Sequence, residues 1–409
     1  MAKWSNNGSA CNLIRNIRIS DRAGNEIEYV TDCNIIGAIN RRLMKSPDWF
    51  NSTHKLATHE SSTKELTGTL PAATLISAWD GKNTDGVEVS DTYAYDNTSS
   101  NGQKRFVIPL RWISGLFDYS QLLPPALMSG LRIQIEWETS ERAFQYFGGN
   151  ATSTPLTAVG NNNRWKVINP RIVMDSVKLT DSIARQLNKR SATDGLEIQF
   201  RTWFTSHYYT AGNTANIETR RAVSRAFGAL AHVQRAISAT TDEVERDSIS
   251  TDPIDVVEWQ WRAGNLYFPQ QPIKVNSSTG NGAGVSADRQ TALQRLQMSR
   301  ETYAQMLQYS GKLENPVDVG SLTVGDYTLS ANTVETKTNQ DYGGMSIIPC
   351  NLERSSVQDV SGLPLNNSRV LALNMTFRTE ASAVARDIRI FLQYLKIARV
   401  FMDNTELEE

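Results

Sequence analysis

Residues 105–138 read RFVIPLRWISGLFDYSQLLPPALMSGLRIQIEWE, and residues 346–378 read SIIPCNLERSSVQDVSGLPLNNSRVLALNMTFR. Each stretch ends in an alternating pattern, with apolar side chains at every second position over 131–137 and over 371–377. A period of two residues is typical of a β-strand that buries one face. The two stretches therefore predict equivalent strands in two β-rich parts of one chain.

A constant spacing of 240 residues relates the two stretches. Ile108-Pro109 precedes Ile348-Pro349 by 348 − 108 = 240 residues, and Leu123-Pro124 precedes Leu363-Pro364 by the same number. Proline fixes φ and has no N–H to donate to a β-ladder, so such prolines mark strand ends and turns. Because both prolines and the apolar phase recur without a gap, the spacing indicates an internal duplication.

A four-residue word repeats at the same spacing. RAGN occupies 22–25 and 262–265, again 262 − 22 = 240 residues apart, and each copy follows an alternating strand and precedes another extended piece. Glycine adopts positive φ at little cost, which a hairpin bend requires. We therefore predict hairpin-type bends with positive φ at Gly24 and Gly264.

Each predicted hairpin is followed by an amphipathic helical pattern. The apolar stripes of the two predicted helices are Ile35, Ile36, Ile39 and Leu43 in the first, and Leu293, Leu296, Tyr303 and Leu307 in the second.

A third repeated sequence, RIVMD at 171–175 and RVFMD at 399–403, has a different spacing, 399 − 171 = 228, and is weaker evidence for the duplication.

The pattern predicts an all-β fold with a few short helices, made of two tandem units of the sandwich or jelly-roll type. We place the units at 1–245 and 246–409. Residues 195–240, with apolar positions at Leu196, Ile198, Phe200 and Phe204 and the run AFGALAHV, have no counterpart in the second half and are assigned to the first unit. Three polar stretches should form loops at one end of each sandwich, namely 51–104, 139–163 and 273–290.

Composition is that of an ordinary globular protein. The 409 residues carry a formal net charge of −1, with 40% hydrophobic and 21% charged residues. A general nucleic-acid binder needs clustered Lys and Arg, and the chain has no block of five or six like charges. The first residues lack the apolar core of a signal peptide, and no apolar run is long enough to cross a membrane.

Few residues suggest chemistry. Cys11, Cys33 and Cys350 are scattered and odd in number, which predicts free, buried thiols in a reducing compartment. The glycine-rich stretch 278–284 lacks the Lys-Ser/Thr of a phosphate loop and is interpreted as a flexible loop. No metal spacing joins the four histidines, which are His54, His59, His207 and His232.

Two pairs of residues leave an alternative open. Glu136 and Glu138 are two residues apart on one strand face, about 7 Å by strand geometry, a separation that a glycosidase could use. We interpret them as solvated charges opposite a buried face. Trp259 and Trp261 could stack on a sugar, but a core face or subunit contact is the simpler interpretation. We predict no catalytic, cofactor-binding or metal-binding residue.

Five passages carry a resemblance to a known family. The chain resembles the double jelly-roll major capsid proteins of Polinton-like viruses, a group related to virophages and to the adenovirus and tailless-phage capsid lineage. The likeness extends over about residues 12–405. The passages are IPLRWISGLFDYSQLLPPALMSGLRIQIEWE, INPRIVMDSVKLTDSIARQLN, WQWRAGNLYFPQQPI, LPLNNSRVLALNMTF and FLQYLKIARVFMDN.

The resemblance implies two eight-stranded jelly rolls that stand perpendicular to a viral shell. Three copies would form a pseudo-hexagonal homotrimer, and trimers would tile an icosahedral capsid around double-stranded DNA inside an infected eukaryotic cell. Penton and minor capsid proteins would be further partners, and an internal membrane is left open. Trimer contacts should be large and apolar, and contacts between trimers smaller and more polar.

Two other functions compete with this expectation. A two-domain β-sandwich that binds or hydrolyses carbohydrate would use Glu136, Trp259 and Trp261. A minor capsid or penton protein usually needs one jelly roll, which the internal duplication disfavours. The near-neutral charge also predicts that the protein does not condense a genome itself.

Overall fold

In a computed structural model of the chain, the described residues form strands, four helices and two 3-10 turns. The longer helices are α1, Cys33–Met44, and α4, Asp181–Thr193; between them lie two four-residue helices, α2, Pro125–Met128, and α3, Ser140–Ala143. Two 3-10 turns cover Ala10–Leu13 and Leu110–Trp112. The described residues are 2–4, 10–44, 107–119, 122–128, 130–146, 167–236, 256–274, 347–353, 362–366, 368–377, 385–401 and 405–408.

Fifteen strands run through these residues. In chain order they are β1 Ala2–Trp4, β2 Ile14–Ser20, β3 Glu26–Val30, β4 Arg132–Trp137, β5 Phe144–Tyr146, β6 Leu196–Thr210, β7 Thr214–Thr219, β8 Val223–Arg235, β9 Val256–Ala263, β10 Leu266–Lys274, β11 Ile347–Asn351, β12 Leu363–Leu365, β13 Leu371–Phe377, β14 Arg386–Val400 and β15 Thr405–Glu408.

The duplication predicted from the sequence reappears in two sheets. One sheet has the order β3-β2-β4, and another has the order β10-β9-β13-β7. In each, a hairpin bends at an RAGN word, and its first strand also pairs with a later strand. The paired residues Ile17 and Ile135 are 135 − 17 = 118 apart, and Trp261 and Leu373 are 373 − 261 = 112 apart. The predicted positive φ is confirmed at both glycines, 95° at Gly24 and 59° at Gly264.

The two copies differ in detail. The first bend spans five residues between the paired Ser20 and Glu26, and the second spans two between Ala263 and Leu266. The prolines also differ in role, because Pro109 precedes a 3-10 turn whereas Pro349 lies inside β11, at the edge of its sheet. An edge strand tolerates proline since its outward N–H needs no ladder partner.

A six-stranded sheet joins the halves of the chain. Its order is β11-β8-β14-β15, with β12 on β8 and β6 on β14. β6 and β14 are both fifteen residues long and pair without a break from Leu196↔Val400 to Thr210↔Arg386. A further short pair, β1 with β5, ties the N-terminus to residues 144–146.

Two apolar cores pack against these sheets. The first contains the inward side chains of β2, β3 and α1, and the second contains those of β9, β11 and β13. Both long strands contribute to both cores: Phe200 and Phe391 lie in the first, while Ile390 lies in the second and Phe204 packs against it. The two larger cores of the described residues therefore share two strands.

The described part of residues 195–240, up to residue 236, has partners in both cores rather than in the first alone. β6 does carry side chains into the first core, but β7 pairs with β13, and β8 pairs with β11, β12 and β14. Ile217 and Val233 lie in the second core. Strands far apart in sequence make these sheets, so the segment before residue 245 cannot be assigned to the first unit on proximity alone; the boundary itself stays a prediction.

The first predicted helix is confirmed, since Ile35, Ile36 and Ile39 are buried on α1. The second predicted helix lies outside the described residues, as do His54, His59, the stretch 278–284 and most of the three polar stretches. The third repeated sequence is not structural, because 171–175 has no regular secondary structure whereas 399–400 ends β14. None of the described helices is both long and apolar enough to cross a bilayer.

Candidate assembly surface and buried polar sites

A buried carboxylate on β3 fastens three segments of the first core. Glu28 is fully buried and accepts four hydrogen bonds. The hydroxyls of Ser114 and Thr202 donate over 2.5 and 2.6 Å, and the backbone N–H groups of Gly115 and Leu116 donate over 2.9 and 3.2 Å. Burial raises the pKa of Glu28, and these hydrogen bonds oppose the rise.

The segment that contains Gly115 also approaches the long strand β6 very closely. A Cβ at Gly115 would lie 1.7 Å from the carbonyl oxygen of Arg201. Only glycine fits where two backbones are this close. Gly115 and Glu28 together hold the passage WISGLF, part of the resemblance to capsid proteins, against β3 and β6.

A second buried polar site lies where the two halves of the chain meet. Arg389 on β14 is 1% exposed, and its guanidinium lies 3.5 Å from a carboxylate oxygen of Asp32 and 3.5 Å from one of Asp387. It also donates to Oε1 of Gln234 over 3.2 Å. Burial lowers the pKa of Arg389 and the charge of Asp32 opposes that shift. The cluster connects the β3–α1 junction to the shared sheet.

The two glutamates predicted to be solvated charges lie in different environments. Glu136 is exposed on β4 and accepts a hydrogen bond from Asn16 over 2.5 Å. Glu138, one residue past β4, is 4% exposed and accepts from Asn34 over 3.0 Å. The expectation of two outward charges is therefore wrong for Glu138, because the alternation ends with the strand.

The tryptophan pair belongs to the core. Trp259 and Trp261 on β9 are 4% and 0% exposed and lie in the second core. A sugar could not stack on either ring without unfolding the sheet. This position supports the core interpretation and removes the aromatic platform on which the carbohydrate alternative depends.

The remaining candidates also occupy structural positions. The three cysteines are free and buried, as predicted, and burial raises the pKa of the Cys33 and Cys350 thiols, which keeps them protonated and poorly nucleophilic. His232 is buried on β8, and His207 on β6 lies 3.0 Å from Asp387. Within the described ranges, no group of three His, Cys, Asp or Glu side chains could hold a metal ion.

One open groove lies beside β6 and β7. It has a volume of about 550 Å³, and its two charged residues pair with each other, Arg220 with Glu218 over 3.2 Å. The Tyr208 hydroxyl donates to the carbonyl oxygen of Glu218 across it. The carboxylate of Glu218 is therefore held in an ion pair at this groove. Its lining residues are Phe204, Ser206, Tyr208, Asn216, Glu218 and Arg220.

The most unusual surface is an extended apolar segment before α4. Residues 167–180 have no regular secondary structure, and all except Leu179 are exposed. The side chains of Val173, Met174 and Val177 are 91%, 67% and 61% exposed. We call residues 167–183 the arm. Large exposed apolar surfaces mark interaction sites.

Sequence reasoning missed Glu28, Arg389 and the arm. A signal for Glu28 exists, because it shares the phase of the buried Val30 in the strand EIEYV. The arm lies within the passage INPRIVMDSVKLTDSIARQLN, whose apolar residues carry no sign of exposure. Nothing local in the sequence distinguishes an apolar stretch that is buried from one that is left exposed.

Comparison with known proteins gives likeness in structure only. No protein-family model and no curated protein matches the chain. The Faustovirus major capsid protein superposes on 98% of this chain and 73% of its own, at 9% identity and a TM-score of 0.50. The Sputnik virophage structure covers 97% of this chain and 74% of its own, at 10% identity and a TM-score of 0.48. The PBCV-1 capsid covers 100% and 88%, at 11% identity and a TM-score of 0.43.

The Faustovirus likeness has a TM-score of 0.50, and at 9% identity it establishes the fold alone. It extends over nearly the whole chain, in agreement with the duplicated hairpins and the two cores. The chain therefore has the double jelly-roll fold of viral major capsid proteins.

Proposed function

We propose that this chain is a viral major capsid protein and is located in the shell of the virion. The observation that carries the proposal is a double jelly-roll fold shared with the Faustovirus major capsid protein over 98% of this chain. The duplicated hairpins at Gly24 and Gly264 support it independently, because they repeat the same topology in both halves.

In this proposal three copies form a homotrimer that presents six jelly rolls in a pseudo-hexagonal outline. Trimers tile an icosahedral shell around a double-stranded DNA genome, with penton and minor capsid proteins completing the shell. The exposed apolar side chains of the arm support self-association, since apolar surface of this kind is normally covered.

The proposed role is structural rather than enzymatic. The buried ionisable groups Glu28 and Arg389 hold segments of the fold together through hydrogen bonds and ion pairs. The carbohydrate alternative loses support because both tryptophans that would form its binding surface are buried in the second core.

With a net charge of −1, the protein leaves contact with the genome to another protein or to a membrane. DNA binding by the purified protein should therefore be undetectable at physiological salt. Binding that weakens steeply with added salt, measured by fluorescence anisotropy with a duplex, would contradict this part of the proposal.

Negative-stain electron microscopy of the purified protein tests the assembly directly. The expected particles are uniform and have a triangular or hexagonal outline, and they associate edge to edge at high concentration. Small compact particles of one chain each, at every concentration up to the limit of solubility, would refute the proposal.

A further inference from the structure

We propose that the arm, residues 167–183, is a self-association element that packs on a second copy of this chain. The inference rests on the proposed function and names the surface through which assembly occurs. Seven large apolar side chains of the arm are exposed by at least 37%: Val167, Ile168, Ile172, Val173, Met174, Val177 and Ile183.

The backbone of the arm has few internal partners. Over the part of the chain that the structure describes, residues 167–179 make no backbone hydrogen bond to another segment. Extended backbone of this kind offers donors and acceptors to a partner, and its side chains offer an apolar surface. A segment with both features is suited to bind a partner, beyond linking two parts of its own chain.

The arm is presented from a fixed base. It continues into α4, where the buried Ser191 donates a hydrogen bond to the carbonyl oxygen of Val400 over 3.4 Å. Gly195, with φ of 76°, then turns the chain into β6, and a Cβ there would contact the ring of Phe401 at 3.0 Å. The C-terminal end of α4 is thus tied to the ends of the long strands, and the arm precedes its N-terminal end.

The chemistry of the arm indicates a protein partner. Its charges alternate in sign, with Arg171, Asp175 and Lys178 spaced by three or four residues. An anionic membrane or a nucleic acid would require clustered cations without an intervening carboxylate. A mixed-sign rim around apolar side chains instead suits the surface of a near-neutral protein, and this chain has a net charge of −1.

The area of the arm indicates a stable contact with a second copy rather than a transient contact with another protein. Seven exposed aliphatic side chains present on the order of several hundred Å², which approaches the roughly 800 Å² that each partner contributes to a standard stable interface. In a shell whose main component is this chain, every copy has other copies of the chain as neighbours. One arm on each copy then supplies a repeated contact.

A triple substitution tests the inference, namely Ile172→Ser, Val173→Ser and Met174→Ser in one chain, with Tyr209→Ser as the control. Tyr209 is 66% exposed but lies at the end of β6, outside the arm. Sedimentation velocity should show that the triple variant needs at least about tenfold higher concentration for half-assembly, while the control assembles like the wild type. Unchanged assembly of the triple variant, or equal loss in the control, would overturn the inference.

A photo-crosslinking benzophenone residue in place of Val173 gives a readout that does not depend on the triple variant folding. Irradiation should produce covalent products of two or three chains. Crosslinks confined to a single chain would mean that another segment of the same chain covers the arm, and would overturn the inference. A wild-type protein that stays monomeric would instead refute the proposed function itself, so the two failures are distinguishable.

Discussion

At the level of residues, the buried carboxylate of Glu28 joins three segments of the first core. It receives four hydrogen bonds from Ser114, Gly115, Leu116 and Thr202, although no cation lies among these donors. Because burial raises the pKa of Glu28 above its ordinary 4.5, the folded state binds a proton at this site more tightly than the unfolded chain does. The stability that Glu28 contributes is therefore fully present below about pH 4.5 and is lost as pH rises through the folded pKa.

Glu28→Gln isolates this effect, since glutamine does not titrate. We expect the free energy of unfolding of the wild type, relative to that of the variant, to decrease as pH rises above about 4.5. Urea unfolding of both proteins across a pH series measures this difference. A difference that is constant, or that increases with pH, would mean that the four donors outweigh the desolvation of the carboxylate.

Gly115 tests the close approach of the two backbones. Gly115→Ala should lower the free energy of unfolding by at least about 2 kcal/mol, because the added methyl would lie 1.7 Å from the carbonyl oxygen of Arg201 and the segments would have to separate. Gly212→Ala is the matched control, since the nearest atom to its Cβ would be 3.6 Å away, and it should change stability by less than about 0.5 kcal/mol. Equal effects in thermal unfolding would contradict the packing described for the WISGLF passage.

At the level of elements, the strands β6 and β14 connect the two cores, and the Arg389 cluster ties β14 to the β3–α1 junction. Asp32→Asn removes one of the two charges that lie 3.5 Å from the buried guanidinium but keeps a residue that tolerates the φ of 51° at this position. We expect a loss of about 2 kcal/mol, since one partner of a buried ion pair is neutralised while Asp387 still contacts the guanidinium.

Arg389→Met should cost less than Asp32→Asn. It replaces a desolvated cation by an apolar side chain of similar length and leaves two carboxylates that each keep about 16% exposure to water. Chemical denaturation of both variants compares the two losses. If Arg389→Met lowers stability more than Asp32→Asn does, the attraction and hydrogen bonds of the guanidinium exceed the cost of burying its charge.

Elements with a local signal could be predicted from the sequence, and elements defined by distant partners could not. The alternation over 131–137 and 371–377 and the glycines of the two RAGN words identify the repeated hairpins because strand faces and bends depend on neighbouring residues. The partners of β7 and β8 lie more than a hundred residues away, so nothing near residue 245 indicates which core they join. Glu138 was misplaced for a related reason, since it lies one residue beyond the strand whose period was extrapolated.

At the level of the whole molecule, two jelly-roll units in one polypeptide leave an apolar arm uncovered, and self-association is the consequence that we propose. The resemblance seen in the sequence and the shared fold with the Faustovirus protein agree on the architecture. Sequence periodicity predicts buried faces but not which apolar segment a monomer leaves exposed. The exposure of the arm is therefore evident from the folded structure and not from the sequence.

The mass of the purified protein in solution tests the central claim most directly. Size-exclusion chromatography with multi-angle light scattering, at micromolar concentration, should give a single species of three times the 45.6 kDa chain mass. A homogeneous species of 45.6 kDa that persists as the concentration is raised would contradict a protein built to tile a shell.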